Sequence, residues 1–162
     1  MDEPPNSVDF TPDELEAWSS FATVLEWLPV ALDIQLQRDS GMSHFEYGLL
    51  FALSRAEGRT VRMSALAGFA NSTLSRLSRA VARLERRGWV QRSPDPIDGR
   101  VTTATLTPSG LDATRAATPG HVALVRTLVF GSLTGDQAEE LRRISSQIAT
   151  SISADGRWAP GG

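Results

Sequence analysis

The order of helical and extended patterns from Met63 to Gly110 limits the possible folds more than any other feature of this sequence. MSALAGFA predicts a short helix, and LSRLSRAVARLERRG predicts an amphipathic helix with Thr73 as its N-cap. The predicted apolar face of this second helix consists of Leu74, Leu77, Val81 and Leu84. Two extended runs, WVQR and VTTATL, then flank SPDPIDGR, whose prolines, aspartates and glycine predict a tight turn. A short helix, a turn, a second helix and a two-stranded hairpin together predict a winged helix-turn-helix.

The sequence on either side of this motif predicts further helices. Thr11 and Ser43 begin two helices before it, each with a glutamate placed to complete a capping box. The first of these carries an apolar stripe to about residue 37, and we expect a kink at Pro29. Thr107 and Thr134 begin two helices after the hairpin, and the earlier one is expected to reach about residue 132. The later one carries an apolar stripe of Leu141, Ile144, Ile148 and Ile152. The fold class is therefore mainly α with a small β-wing.

The charge of the chain is concentrated in particular segments. The net charge of −3 would by itself argue against a polyanionic partner. Residues 1–58 carry two arginines against eleven acidic residues, whereas residues 59–100 carry nine arginines against three acidic residues. The basic segment coincides with the predicted winged helix-turn-helix. This coincidence predicts contact with a polyanion there.

The residue types present exclude several kinds of site. The chain has no cysteine, which excludes disulfides, thiolate-bound zinc and a cysteine nucleophile, and which fits a cytoplasmic protein. It has no lysine and hence no P-loop, and it contains none of the patterns GxGxxG, GxSxG or HExxH. No apolar run is long enough for a membrane span, and the N-terminus does not look like a signal peptide. We therefore expect no enzyme, no catalytic residues, no metal and no cofactor.

The segment MSALAGFANSTLSRLSRAVARLERRGWVQRSPDPIDGRVTTATLTPSG resembles the MarR (multiple antibiotic resistance regulator) family. The Leu66–Ala67 pair, the arginine-rich helix, the hairpin DPIDGR and the following LTPSG match that family in order and spacing. Asn71 and Ser72 depart from it, because the family usually has a glycine and an aliphatic residue there. Asparagine can still adopt the left-handed conformation, which we expect for Asn71 in this turn. The resemblance implies a winged helix-turn-helix with N- and C-terminal dimerisation helices.

The resemblance also divides the chain into parts. It implies an N-terminal dimerisation helix over residues 11–40, a winged helix-turn-helix DNA-binding domain over 41–107 and C-terminal dimerisation helices over 108–153. Independently of the resemblance, we expect a disordered N-terminus over residues 1–10 and a disordered tail over 154–162. The implied function is that of a homodimeric, sequence-specific transcriptional regulator that binds a palindromic operator in double-stranded DNA and responds to a small ligand. Such regulators are most often repressors in this family.

The side chains expected to contact DNA lie at the start of the arginine-rich helix and at the tip of the hairpin. Polar and guanidinium groups at the start of such a helix can reach base edges and phosphates in the major groove. An arginine at the tip can reach the adjacent minor groove, and Asp98 is placed to hold Arg100 in position. The predicted DNA-binding residues are Thr73, Ser75, Arg76, Ser78, Arg79, Arg83, Asp98 and Arg100.

A ligand cleft is implied where the dimerisation helices meet the winged core. The residues expected to line it are Trp18, Trp27, His44, Tyr47 and Phe51, with core packing as the alternative role of each. This mostly aromatic set suits a small apolar or aromatic acid, and the lack of cysteine excludes switching by reversible thiol oxidation. An alternative function for the whole chain is a winged-helix protein-interaction module whose basic face binds an acidic partner. Salt-dependent binding to duplex DNA would separate the two functions.

Overall fold

The structure is a computed structural model that describes residues 9–152. The elements in chain order are α1 (Pro12–Ser40), α2 (His44–Arg55), β1 (Thr60–Arg62), α3 (Met63–Phe69), α4 (Leu74–Arg86), β2 (Val90–Pro94), β3 (Thr102–Leu106), α5 (Pro108–Leu128) and α6 (Gly135–Ile152). Short 3₁₀ turns lie at Glu57–Arg59 and Phe130–Ser132. This confirms the expected fold class, mainly α with a small β-wing. The tail predicted over 154–162, and all but the end of the N-terminal segment predicted over 1–10, lie outside the described residues.

The starts of the helices agree with the sequence. The side chains of Thr11 and Ser43 accept hydrogen bonds from backbone N–H groups three residues later, and the glutamates there accept in return. Thr134 and Gln137 form the same reciprocal pair before α6, and Thr107 Oγ1 accepts from the Gly110 N–H at 3.0 Å before α5. Each cap satisfies backbone donors that the first helical turn leaves without partners.

The ends of α1 and α5 are set by the backbone that follows each helix. α1 continues through Pro29 and ends at Ser40, three residues beyond the apolar stripe predicted to about residue 37. It ends there because Gly41 adopts φ 63°, a left-handed conformation that suits glycine, and donates its N–H to the Gln37 carbonyl. α5 ends at Leu128 rather than at about residue 132, since the chain tightens into a 3₁₀ turn after it. No helix within residues 9–152 is both long enough and apolar enough to cross a membrane.

The three strands form an antiparallel sheet in the order β1–β3–β2. β2 and β3 make the predicted hairpin, in which Arg92 lies opposite Ala104. β1 is only three residues long, and it pairs with β3 through Thr60 and Thr105, whose hydroxyl oxygens are 2.8 Å apart. A strand this short depends on its neighbour, so tertiary pairing decides its conformation more than local propensity does.

The core lies where α2 and α4 pack beside the sheet. α4 contributes Leu77, Val81 and Leu84, all fully buried, which confirms three of the four residues on its predicted apolar face. The prediction for Leu74, the fourth, is wrong, because its side chain is 55% exposed. Leu74 lies in the first turn of α4, beyond the part that packs on the core, and it lines a cleft beside the hairpin instead.

The outer helices leave much of their apolar surface uncovered in the single chain. No residue of α6 is buried, and Leu141 and Ile144 of its predicted stripe are exposed. The first half of α1 is similarly exposed, and Trp27 reaches 74% exposure. Apolar surfaces of this extent are typical of protein–protein interfaces.

Gly110 permits a close contact between the start of α5 and the segment that follows α4. A Cβ atom at this position would lie 2.1 Å from the Trp89 carbonyl oxygen and 2.8 Å from Leu106 Cδ1. The Thr107 hydroxyl fixes the same junction by donating to the Gly88 carbonyl at 2.6 Å. No side chain larger than hydrogen fits at position 110 without a shift of the backbone.

We expect Gly110→Ala to lower the free energy of unfolding by about 3 kcal/mol, the upper end of the usual cost of overpacking, because the obstacle is a backbone atom. Urea denaturation followed by circular dichroism measures this change. Gly48→Ala in the middle of α2 is the matched control, since nothing lies within 4 Å of its added Cβ. Gly48→Ala should raise the free energy of unfolding by about 0.5–1 kcal/mol, because alanine has a higher helix propensity than glycine. Equal stability of the two variants would contradict the prediction.

Candidate nucleic-acid interface

The turn between α3 and α4 sets the direction of the second helix of the motif. Asn71 has φ 42°, the left-handed conformation that the sequence predicts for it. Its N–H donates to the Gly68 carbonyl at 3.1 Å, and the Ser72 N–H donates to the Ala67 carbonyl at 3.0 Å. These backbone bonds close the turn against the end of α3 and thereby fix where α4 begins.

The exposed face of α4 carries the side chains predicted to enter the major groove. Thr73 Oγ1 accepts from the Arg76 N–H at 3.3 Å, so the Thr73 hydroxyl serves as the N-cap. Ser75, Arg76 and Arg79 are exposed, and Ser78 is half-buried at the margin. The first turn of α4 contains no acidic residue, so its positive dipole end is not neutralised locally. This half of the helix is suited to phosphates and to base edges.

Arg83 is less available for DNA than the sequence predicts. Its Nε donates to Glu46 Oε1 at 2.7 Å, and the side chain of Glu46 is only 9% exposed. Burial raises the pKa of Glu46, but hydrogen bonds from the Ser43 backbone and from Arg83 outweigh burial and lower the pKa below its usual value. The carboxylate therefore stays charged and ties α4 to the start of α2.

The tip of the hairpin is organised by Asp95, which sequence reasoning missed. Asp95 is 8% exposed, and its Oδ1 accepts from the backbone N–H groups of Ile97 at 2.8 Å and Asp98 at 3.2 Å. Its Oδ2 accepts from Arg62 Nε at 2.8 Å. These bonds, first among them the one from Ile97, lower the pKa of Asp95. An aspartate between two prolines in a turn was the available signal, because aspartates commonly bond to the backbone two residues on.

Arg100 projects from the wing, as predicted. Its side chain is 91% exposed, and its Nε donates to Asp98 Oδ1 at 3.1 Å. The Arg100 backbone N–H also donates to this oxygen, at 3.2 Å, and these bonds lower the pKa of Asp98. The expected pairing of Asp98 with Arg100 is therefore confirmed. An exposed ion pair adds little stability, so its main effect is to orient the guanidinium.

Two further side chains border this surface without having been identified from the sequence. Arg92 on β2 donates through Nη2 to Glu85 Oε2 at 2.7 Å, and its Nη1 lies 3.4 Å from Ser78 Oγ. The ring of Phe45 lies 4.5 Å from the guanidinium carbon of Arg76. Both contacts join different elements of the fold, so no local pattern could have indicated them.

A cavity of about 500 Å³ lies beside the start of α4, between α1, α2 and the end of α3. Most of its lining is apolar, and its charged or polar side chains include Asp33, His44 and Arg76. Arg76 also borders a second opening, of about 390 Å³, together with Arg79 and Arg83. The arginine at the start of α4 thus faces both the cavity and the surface predicted to contact DNA.

The five residues predicted for a ligand cleft lie in two places. His44 lines the cavity, while Tyr47 and Phe51 stack on each other with ring centroids 6.1 Å apart. Trp18 and Trp27 lie on exposed parts of α1, at 49% and 74% exposure. The structure therefore brings three of the five close to the α2–α5 junction. The prediction that all five form one cleft stays a prediction.

His44 also belongs to a polar cluster that joins α2 to α5. Its ring stacks on His121 with centroids 5.8 Å apart, and Tyr47 contacts the same His121 ring at 4.6 Å. The Tyr47 and Thr118 hydroxyl oxygens lie 3.1 Å apart. Burial lowers the pKa of both histidines, although Asp33 partly opposes this at His44. Across residues 9–152, no three potential metal ligands converge in this cluster or elsewhere.

Known proteins match this chain in sequence and in structure. The sequence model of the MarR family matches residues 42–102. Sco3205, a MarR family transcriptional regulator from Streptomyces coelicolor whose crystal structure is in complex with DNA, has a TM-score of 0.86 and 44% identity. That comparison covers 93% of this chain and 92% of Sco3205. AbsC, another MarR family transcriptional regulator from Streptomyces coelicolor, has a TM-score of 0.86 and 32% identity, covering 92% of this chain and all of AbsC.

A curated relative matches a shorter stretch. YdcH, an uncharacterized HTH-type transcriptional regulator of Bacillus subtilis (strain 168), is 32% identical over 80 residues, or 48% of this chain. The chain spans about half of that relative, 54% of its length. The likeness to Sco3205 extends over nearly the whole of both proteins at 44% identity, so it includes the outer helices as well as the winged core. The chain therefore belongs to the MarR family, whose members are non-enzymatic transcriptional regulators.

Proposed function

We propose that this chain is a sequence-specific DNA-binding regulator that acts as a homodimer in the cytoplasm, most simply as a repressor. The observation that carries the proposal is the pairing of an exposed, acid-free helix start, with Arg76 and Arg79, and a wing that holds Arg100 outward. A helix of this kind fits the major groove, and a wing arginine fits the adjacent minor groove. The crystal structure of the similar regulator Sco3205 contains DNA, which supports double-stranded DNA as the partner.

The predicted DNA-binding residues take different roles in this proposal. Ser75, Arg76 and Arg79 contact base edges and phosphates in the major groove, with Ser78 at the margin of that contact. The N-capping Thr73 and the Glu46-bound Arg83 mainly position the helix. Asp98 holds Arg100 for the minor groove. Residues 41–107 form the DNA-binding domain in this proposal.

The exposed apolar faces of the outer helices support the homodimer. A second copy that packed its α1, α5 and α6 against those of the first would bury side chains that the single chain leaves in water. Residues 11–40 and 108–153 are then the dimerisation helices. A two-fold symmetric dimer presents two copies of α4, and we expect a palindromic operator with half-sites about 10 base pairs apart.

We also propose that a small acid with an apolar or aromatic body regulates DNA binding from the cavity of about 500 Å³. Val30, Ile34 and Leu49 supply apolar wall, and the guanidinium of Arg76 can pair with a carboxylate. Arg76 also lies on the proposed DNA surface, so a ligand that engages it favours one arrangement of α4 over another. A ligand acts as a switch only through such a difference in affinity between two states.

Arg79→Ala should weaken operator binding. If Arg79 contacts a phosphate, the slope of log affinity against log salt should fall by about 1 per subunit; if it contacts a base, discrimination at that position should fall by ~1–3 kcal/mol. Arg100→Ala should weaken binding chiefly where the flanking minor groove is narrow. Fluorescence anisotropy with an operator duplex at several salt concentrations measures both effects.

Arg38→Ala is the matched control for these two variants. It removes the same charge outside the basic segment, where Arg38 pairs with Asp39 at 2.7 Å, and should leave affinity and salt slope unchanged. Unchanged binding by both Arg79→Ala and Arg100→Ala would contradict the proposed surface. Binding of an acidic protein without any duplex binding would favour the protein-interaction module instead.

Ile144→Glu should shift the protein from dimer to monomer and reduce operator affinity at least about tenfold, because a charge would enter the apolar interface. Ile144 is 41% exposed on a helix with no buried residue, so the chain itself should still fold. Thr150→Glu places the same charge on the opposite face of α6 and should remain dimeric. Light scattering decides the outcome, since wild type should have twice the 17.5 kDa mass of one chain. A monomeric wild type would refute the dimer.

Benzoate should release the protein from its operator at micromolar to millimolar concentration, and Gly48→Glu should abolish this response by placing a like charge in the cavity wall. Nothing lies within 4 Å of a Cβ added at Gly48, and α2 is not a proposed dimerisation helix, so this variant should still fold and dimerise. Anisotropy of the protein–operator complex during titration measures release, with benzyl alcohol as the uncharged control. Equal release by the acid and the alcohol would contradict a role for Arg76.

A further inference from the structure

Leu74 occupies an unusual place for a large apolar residue. It is the first residue of α4, and it is 55% exposed although Leu77, Val81 and Leu84 on the same helix are fully buried. The Thr73 hydroxyl accepts from the Arg76 N–H and caps this first turn, which lies beyond the part of α4 that packs on the core. An exposed leucine is by itself ordinary. Leu74, however, lies on the surface that is proposed to contact DNA, so its side chain is placed to take part in that contact.

The cleft beside Leu74 combines apolar wall with two guanidinium groups. It measures about 330 Å³, separates α4 from the wing, and includes Ser78, Arg92 and Arg100 in its lining. Arg92 is held by Glu85 at 2.7 Å, and Arg100 is held by Asp98 at 3.1 Å. The cleft therefore places guanidinium groups beside an exposed leucine. A polyanion that also carries an apolar group could contact both kinds of side chain. Arg76 and Arg79 of the same helix form no salt bridge within residues 9–152 and supply the uncompensated positive charge, so charge complementarity favours a DNA strand against α4 and the wing.

From this arrangement we infer that Leu74 contacts the C5 methyl group of a thymine in each half-site and thereby helps to determine the operator sequence. The inference rests on the DNA-binding function proposed above. Thymine is the base that presents an apolar group in the major groove, and apolar side chains recognise it by contact. Leu74 immediately precedes Ser75 and lies one turn before Ser78, so it borders the side chains that face the base edges.

The expected energetic effect is modest and specific. Leucine offers no hydrogen bond, so its contribution is the burial of the thymine methyl group. Burial of one such group changes affinity about fourfold, and two half-sites together change it about fifteenfold. The effect should be independent of salt concentration, unlike that of the neighbouring arginines.

Deoxyuridine provides the test, because it lacks only the methyl group of thymine. The full-length protein is first used to select an operator from random duplexes, and each thymine is then replaced by deoxyuridine in both half-sites. Wild type should lose about fifteenfold in affinity at one symmetric position. Leu74→Ala should bind the thymine operator more weakly and bind both operators equally, whereas Leu74→Met should still discriminate between them.

Ile97→Ala is the matched control, since Ile97 is another aliphatic side chain of this surface, 90% exposed at the wing tip. It should keep the wild-type response to deoxyuridine, and thermal unfolding should show that every variant folds. The inference is overturned if Leu74→Ala retains the full deoxyuridine effect, or if wild type responds at no thymine. In both cases DNA binding persists and the proposed function stands. Failure to select any duplex overturns the function and this inference together.

Discussion

The burial of one face of α4 against α2 and the sheet is the interaction on which the rest of the surface depends. Leu77, Val81 and Leu84 are fully buried there, and each contributes roughly 1.5–3 kcal/mol by removal from water. Because these residues fix the rotation of α4 about its axis, they also decide that Arg76 and Arg79 point outward. The buried apolar residues of α4 thus determine the orientation of the side chains that are proposed to bind DNA.

Carboxylates divide the arginines of the basic segment into two groups. Arg62, Arg83, Arg92 and Arg100 each pair with an aspartate or glutamate at 2.7–3.1 Å. These pairs hold the wing and α4 in place, and at Arg100 the pair orients an exposed side chain. Arg76 and Arg79 form no salt bridge within residues 9–152, so their charge remains available to a polyanion. An acidic chain can thereby present a local cationic surface.

α2 connects the parts that a regulator must couple. Glu46, near its start, binds Arg83 of α4, while His44 lines the cavity and stacks on His121 of α5. The ligand proposed for this cavity would therefore touch the helix that contacts both the proposed DNA-reading helix and a proposed dimerisation helix. Movement at this junction would change the distance between the two α4 helices of a dimer. That distance must match the spacing of the two half-sites in a palindromic operator.

The sequence by itself determined the features that depend on near neighbours in the chain. The helix caps, the left-handed turn at Asn71 and the pairing of Asp98 with Arg100 involve residues at most five positions apart, so their chemistry is visible in order and spacing. Only the tertiary structure decided that β1 forms, that Leu74 is exposed and that Glu46 binds Arg83. These outcomes depend on which distant elements pack together, and one helical pattern is compatible with several such packings.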